Sequence, residues 1–312
     1  METKKAIDAL VGNVGRVIKG KPDAVKLAVV ALIGRGHLLI EDVPGIGKTT
    51  LGYSLARSVN CSFHRIQFTS DLLPSDITGV TIFNQTTQEF EFKEGPIFAN
   101  IVLADEINRT SPKSQSALLE AMNEGQVTVE KTTFPLPRPF MVIATQNPLE
   151  YHGTFPLPES QLDRFMMRIK LGYPDMEHEK EILKASSERY IKDGLEPVLA
   201  GADVLKLQDL VDGVKMDDAL LDYILAIVDA TRRSDKLALG VSPRGALFLQ
   251  KAARAMAMVS GRDYCIPDDI KGLAVPVLSH RVALNARGGF GRRAGDAEDA
   301  VADIVEAVEV PV

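Results

Sequence analysis

Apolar positions lay out the plan of the chain. Ile7, Leu10, Val11 and Val14 recur at helical spacing, and Pro22 opens a second stretch in which Val25, Ala28, Val29 and Leu32 do the same. Two N-terminal helices are predicted. From His37 the pattern changes to short apolar runs, at His37–Glu41, Phe63–Phe68, Ile101–Asp105, Phe140–Thr145 and Met166–Leu171, separated by helical or irregular segments. That alternation predicts an α/β unit, a parallel sheet with helices on both faces. Val80–Phe98 alternates apolar and polar residues around Gln85-Thr86-Thr87-Gln88, and Gln126–Leu136 does so around Glu130-Lys131. Both read as β-hairpins inserted into the α/β unit, with an ordinary connecting loop as the alternative for the shorter.

After Tyr173-Pro174 the strand signals fade. Glu177–Tyr190, Val204–Leu210, Asp217–Thr231, Pro243–Ser260 and Pro267–Leu278 suit helices, with Ser242 and Ile266 at or near N-cap positions before proline. An α/β domain over 1–173 followed by a smaller all-α domain over 174–312 is expected. The cluster Met256, Met258 and Val259 reads as core of that second domain. Arg287–Gly295, with four glycines and three arginines, reads as a basic loop before a last acidic helix over Asp296–Val308. No internal repeat is visible.

The composition is that of a globular protein. A net charge of -6 over 312 residues, with a pI near 5.5, argues against non-specific binding to nucleic acid or membrane surfaces. The charged start Met-Glu-Thr-Lys-Lys does not read as a signal peptide, and the longest apolar stretch, Ala28–Ile40, is interrupted by Arg35 and His37. Cys61 and Cys265 are too far apart for a metal-type spacing, which suits reduced thiols in a cytoplasmic protein.

The strand predicted at His37–Glu41 runs into Asp42-Val43-Pro44-Gly45-Ile46-Gly47-Lys48-Thr49-Thr50. A glycine-rich loop between a strand and a helix presents backbone N–H groups to an anion, and the helix adds its positive end. In such a loop Lys48 reaches the β- and γ-phosphates and the Thr49 hydroxyl ligates Mg²⁺. Pro-Gly-x-Gly-Lys-Ser/Thr arises by chance at roughly one position in 10⁶ at ordinary Gly and Pro frequencies, so an incidental lysine after a strand-to-helix turn is the weaker reading. The generic pattern begins with glycine, and this chain has Asp42 there.

Ile101–Asp105 ends a buried strand in two acids, Asp105 and Glu106. Beside a phosphate loop, Asp105 would hold Mg²⁺ through water and Glu106 would polarise the attacking water. Asn147, just past the strand Phe140–Thr145, would sit where open α/β sheets bind ligands and could orient that water. Hydrolysis also needs a cation for the charge that builds on the γ-phosphoryl oxygens, and Arg164, Arg109, Arg168 and Arg244 are all candidates from the residues alone.

Taken together these residues resemble the MoxR family of AAA+ ATPases. The matching strings are Leu39-Ile40-Glu41-Asp42-Val43-Pro44-Gly45-Ile46-Gly47-Lys48-Thr49, Ala104-Asp105-Glu106-Ile107-Asn108-Arg109-Thr110, Ala144-Thr145-Gln146-Asn147-Pro148, Phe155 through Phe165, and Ser242-Pro243-Arg244. The first two correspond to Walker A and Walker B. The resemblance implies ATP and Mg²⁺ as ligands, Asn147 as sensor 1, Arg164 as an arginine finger reaching a neighbouring subunit's ATP, and Arg244 as sensor 2 on the helical lid. It also implies that Ile18, Lys19 and Gly20, within Val17–Lys21, line the adenine, although Lys21 stands where many relatives carry Gln. Both hairpins would face the pore of a homo-oligomeric ring, usually a hexamer. Relatives often work on protein partners that carry von Willebrand factor A domains.

The expected activity is therefore Mg²⁺-dependent ATP hydrolysis coupled to remodelling or maturation of a protein client. Two alternatives use the same core, a nucleic-acid-stimulated motor and a nucleotide-gated scaffold. The hairpin Thr81–Lys93 has one lysine and carries Glu89 and Glu91, which disfavours the first. His178-Glu179 lacks the second histidine of a zinc-protease helix, and Gly288-Gly289-Phe290-Gly291 follows no strand, so neither a metalloprotease nor a dinucleotide site is read here.

Overall fold

The structure, a computed structural model, describes residues 2–148, 154–184, 194–285 and 295–311. Helices α1 (Glu2–Val17) and α2 (Pro22–Ile33) come first, the latter with proline in its opening turn as its sequence predicts. The α/β unit then runs β1 (Leu38–Glu41), α3 (Lys48–Ser58), β2 (Phe63–Gln67), α4 (Pro74–Thr78), the hairpin β3 (Gly79–Asn84) and β4 (Glu89–Glu94), and β5 (Ile101–Asp105). It continues with α5 (Pro112–Glu124), the hairpin β6 (Gln126–Val129) and β7 (Thr132–Pro135), β8 (Met141–Gln146), α6 (Glu159–Leu162) and β9 (Met167–Ile169).

Strands β2, β5, β8, β1 and β9 form, in that order, one parallel sheet. Its side chains alternate between two cores because successive residues of a strand face opposite ways. Leu38, Ile40, Ile101, Leu103, Met141 and Ile143 enter the core shared with α1, α2 and α3. Leu39, Val102, Ala104, Val142 and Ala144 enter the core under α5, with Phe165. Both hairpins form as antiparallel ladders, and Phe92 of the first stacks on Phe134 of the second with ring centroids 4.1 Å apart.

The remaining elements are α7 (Met176–Lys184), α8 (Gly201–Asp212), α9 (Asp218–Arg233), β10 (Leu237–Leu239), α10 (Pro243–Val259), α11 (Pro267–Leu278), β11 (Ala283–Leu284) and α12 (Asp296–Ala307). The expected N-caps hold: the Ser242 hydroxyl accepts from Gly245 N, and Ile266 precedes Pro267. Met258 and Val259 are buried, and Met256 packs partly buried beside them. One addition to the helical pattern is the ladder of β10 with β11, three residues against two and too short to show an alternation. Residues 185–190 of the helix expected at Glu177–Tyr190, and 287–294 of the basic loop, lie outside the described residues.

Helix α2 explains why α/β and helical regions form one body. Eight of its twelve residues are buried, and it packs against α1, β9, α8 and α10. Helices of this kind are apolar on most sides because each face meets protein. Among the described residues no helix is long and apolar enough to cross a membrane.

Candidate active site

Parallel pairing places the ends of β5, β8 and β1 side by side. Glu41 is level with Gln146, and Ala104 with Ala144, so the loop after β1, the acids ending β5 and the residue following β8 emerge at one edge of the sheet. This is the carboxyl edge at which open α/β sheets bind ligands.

The loop after β1 requires its glycines. Gly45 and Gly47 have φ of 84° and 96°, a left-handed conformation costly to other residues. Gly47 is the N-cap of α3, and no side chain among the described residues caps that helix, which leaves its first N–H groups for an anion. Lys48 opens α3 and is buried, with Nζ donating to the Asp42 carbonyl at 2.6 Å. Thr49 and Thr50 follow in the same turn, half-buried.

The acid pair is held by neighbours on both flanking strands. Asp105 Oδ1 accepts from Thr145 Oγ1 at 2.6 Å, and its Oδ2 accepts from Arg65 Nη2 at 2.6 Å and Nε at 3.0 Å. Glu106 adopts φ 58° and ψ 49°, and its N–H donates to the same Thr145 hydroxyl at 2.9 Å. The Glu106 carboxylate accepts from Gln67 Nε2 at 2.9 Å and Arg109 Nη1 at 3.2 Å. Asn147 is buried directly after β8.

The four arginine candidates separate. Arg109 contacts Glu106, while Arg168 bridges Glu41 and Glu298 at 2.8 Å each and so joins the sheet to α12. Arg244, in the first turn of α10, lies 3.8 Å from Asp163. Arg164 turns onto α5, donating to the Leu119 carbonyl at 2.7 Å, in a cleft of about 260 Å³ lined by Ser116, Leu119, Glu120, Asn123 and Gln161. In the segment before α2, Ile18 is buried, Lys19 is 3.6 Å from Glu181, and Gly20, at φ 69°, packs against His178.

Five residues around this constellation, Thr145 already described among them, were not singled out from sequence. Arg65 and Gln67 share a face of β2, and Gln67 is in register with Asp105; their spacing of two in the run between Phe63 and Phe68 is the sequence signal for them. Asp163 receives Ser242 Oγ at 3.0 Å and the buried Arg281, whose Nε is 3.0 Å away. Burial pushes the Arg281 guanidinium down to about 10, with the Asp163 charge acting in the opposite sense. Nothing in the sequence pairs 163 with 281.

A P-loop after β1, with a polar residue after the neighbouring β8 and an acid pair at the end of β5 beyond it, defines a nucleoside-triphosphatase core, and the comparisons with known proteins agree. Residues 37–167 match the ATPase family associated with various cellular activities (AAA), and residues 229–304 match the AAA lid domain. The chain is 52% identical to the uncharacterised protein YeaC of Bacillus subtilis, over 97% of this chain and 94% of that protein. It is 43% identical to the chaperone MoxR1 of Mycobacterium tuberculosis, over 89% of this chain and 76% of that protein. The solved structure of a candidate ATPase from Cytophaga hutchinsonii superposes with a TM-score of 0.92 at 39% identity, covering 100% of this chain and 96% of that one. The chain belongs to the MoxR family of AAA ATPases and is an ATP-hydrolysing enzyme.

Proposed function

We propose that the chain is a Mg²⁺-dependent ATPase that works as a homo-oligomeric ring, of hexameric type, and converts hydrolysis into remodelling or maturation of protein partners. The observation that carries this reading is Thr145 holding Asp105 and Glu106 together on the strand next to the Lys48 loop. In it the loop N–H groups and Lys48 bind the β/γ-phosphates, Thr50 and Pro44 shape the loop, and Ile18–Gly20 line the adenine. Glu106 takes the proton of the attacking water, Asn147 orients that water, and Arg244 approaches from the helical lid. The α/β domain is taken as 1–173 and the lid as 174–312.

The oxygen donors suit Mg²⁺. Thr49 would offer its hydroxyl, and Asp105, its carboxylate engaged by Thr145 and Arg65, would hold the ion through water, hard oxygen donors of the kind Mg²⁺ takes. No group of three or more His, Cys, Asp or Glu among the described residues could hold a metal by itself. When bound, the ion neutralises charge developing on the phosphoryl oxygens.

Arg164 supports the ring. Its Nε, like Gln161 Oε1 beside it, is shielded from solvent without a hydrogen-bond partner among the described residues, in a cleft that contains Glu120. A cation so placed suits a neighbouring subunit's triphosphate. A protein client, by the MoxR likeness one carrying a von Willebrand factor A domain, fits the exposed Phe83 and Phe90 and the Glu-rich β4 better than nucleic acid does. A cytoplasmic location accords with the free thiols of Cys61 and Cys265.

The test is Glu106→Gln, which keeps ATP binding and lowers turnover at least about 100-fold. Held in its ATP state, the variant retains client proteins for identification. Robust hydrolysis by Glu106→Gln, or turnover stimulated by nucleic acid and weakened by salt, would overturn the reading.

A further inference from the structure

Asp42 departs from the generic P-loop pattern, though not from the family's, and Lys21 stands where many relatives carry Gln; both reach the same three residues of backbone. Asp42 Oδ2 accepts the N–H groups of Leu171 at 2.8 Å and Gly172 at 2.6 Å, while Oδ1 accepts the N–H of Val43 at 2.9 Å. Lys21 Nζ donates to the Tyr173 carbonyl at 2.7 Å. Residues 171–173 lie between the last sheet strand, β9, and α7, with Gly172 left-handed at φ 63°. The main chain of Asp42 is tied in turn to the catalytic edge. Its N–H donates to Gln146 O at 3.1 Å, next to Asn147, and its carbonyl accepts Lys48 Nζ.

We propose that Asp42 and Lys21 are positioning residues that grip the core–lid junction, Leu171 to Tyr173, from the phosphate side and the adenine side of the nucleotide site. The inference rests on the nucleotide reading above. It explains the aspartate: glycine has no acceptor for the two junction N–H groups, and asparagine offers one acceptor oxygen where three donors converge. A carboxylate accepting backbone N–H groups makes the stronger, charge-assisted bond, so the junction moves with the loop rather than independently of it. A nucleotide spanning Ile18–Gly20 and the Lys48 loop thereby fixes the pivot about which Arg244 is delivered.

The test uses Asp42→Gly, which installs the generic P-loop residue, and Lys21→Met, which leaves the loop untouched and keeps the test open if the first variant folds poorly. Amide hydrogen exchange of the peptide spanning 170–173 reads the grip directly, with or without nucleotide, and rises about tenfold or more in each folded variant. Turnover falls about tenfold while affinity for a fluorescent ATP analogue changes less than about threefold, because the phosphates stay bound and the lid arginine is misplaced. The double variant turns over no more slowly than the slower single one, since both residues act on one segment. Unaltered exchange at 170–173, unaltered turnover, or additive effects would overturn the proposal. A wild-type chain that binds no ATP would instead sink the nucleotide reading, and exchange at 170–173 would still judge the grip.

Discussion

Thr145 Oγ1 donates to Asp105 Oδ1 across 2.6 Å, and the same oxygen accepts the N–H of Glu106. One fully buried hydroxyl on β8 thus fixes both acids at the end of β5. It also sustains Glu106 in a left-handed conformation that costs a non-glycine residue about 1–2 kcal/mol. Thr145→Val preserves the shape and removes both bonds. Stability falls by about 1–3 kcal/mol, for a buried N–H and a carboxylate oxygen each lose a partner. Turnover falls at least about tenfold through misplacement of Glu106. Denaturant unfolding and steady-state ATPase assays check the two effects, and wild-type turnover in the folded variant would contradict the assignment.

Arg164 faces α5, and Lys48 faces its own chain's loop, so the two act on different triphosphates if the ring forms as proposed. Lys48→Ala and Arg164→Ala are each expected to lose at least about 1000-fold in turnover, the low end of what a positioned arginine contributes. Mixed in equal amounts they regain a measurable share of activity, because some interfaces then pair an intact loop with an intact finger. Absence of recovery in assemblies shown by native mass spectrometry to be mixed would place Arg164 in cis.

Asp163 offsets a guanidinium that is almost wholly enclosed, Arg281 being about 3% exposed. Asp163→Ala leaves that charge uncompensated and is expected to cost about 3 kcal/mol. Arg244→Ala removes a half-exposed partner at 3.8 Å and costs under about 1 kcal/mol. Urea midpoints at constant slope measure both. Equal costs would mean that Asp163 serves the lid through Ser242 rather than through Arg281.

The sheet, both hairpins and the helical region were legible because each carries its own period. β1, β5 and β8 are short apolar runs, and α2 shows its N-terminal proline. The loop and the acids were legible because glycines with positive φ, a lysine and paired carboxylates leave a local signature. What holds them was not. Thr145 is an ordinary strand residue until β8 is known to lie beside β5. The pairings of Asp163 with Arg281 and of Asp42 with Leu171 and Gly172 span more than 100 residues of sequence, and no local spacing encodes them. β10 and β11 are too short for an alternation to appear.

His37 makes stability depend on pH. Its Nδ1 accepts the Val142 N–H at 2.9 Å, so the ring proton is on Nε2, which donates to the Met122 carbonyl at 3.0 Å. A second proton would set Nδ1–H against the Val142 donor in a buried site, and burial lowers the pKa to about 4. The unfolded chain binds that proton near pH 6.5, so between about 6.5 and 4 the unfolded state holds more protons than the folded one. The stabilisation is therefore complete above pH 6.5 and is lost as pH falls, by about 1.4 kcal/mol per unit and ~3 kcal/mol in all. His280, also buried and held well below its ordinary value, acts in the same direction. His37→Gln keeps one acceptor and one donor but does not titrate, and carboxylates common to both proteins cancel in the comparison. Urea unfolding from pH 7.5 to pH 5 should show wild type losing about 1–2 kcal/mol more than the variant across that range. Parallel curves for the two proteins would rule out a neutral, proton-excluding His37.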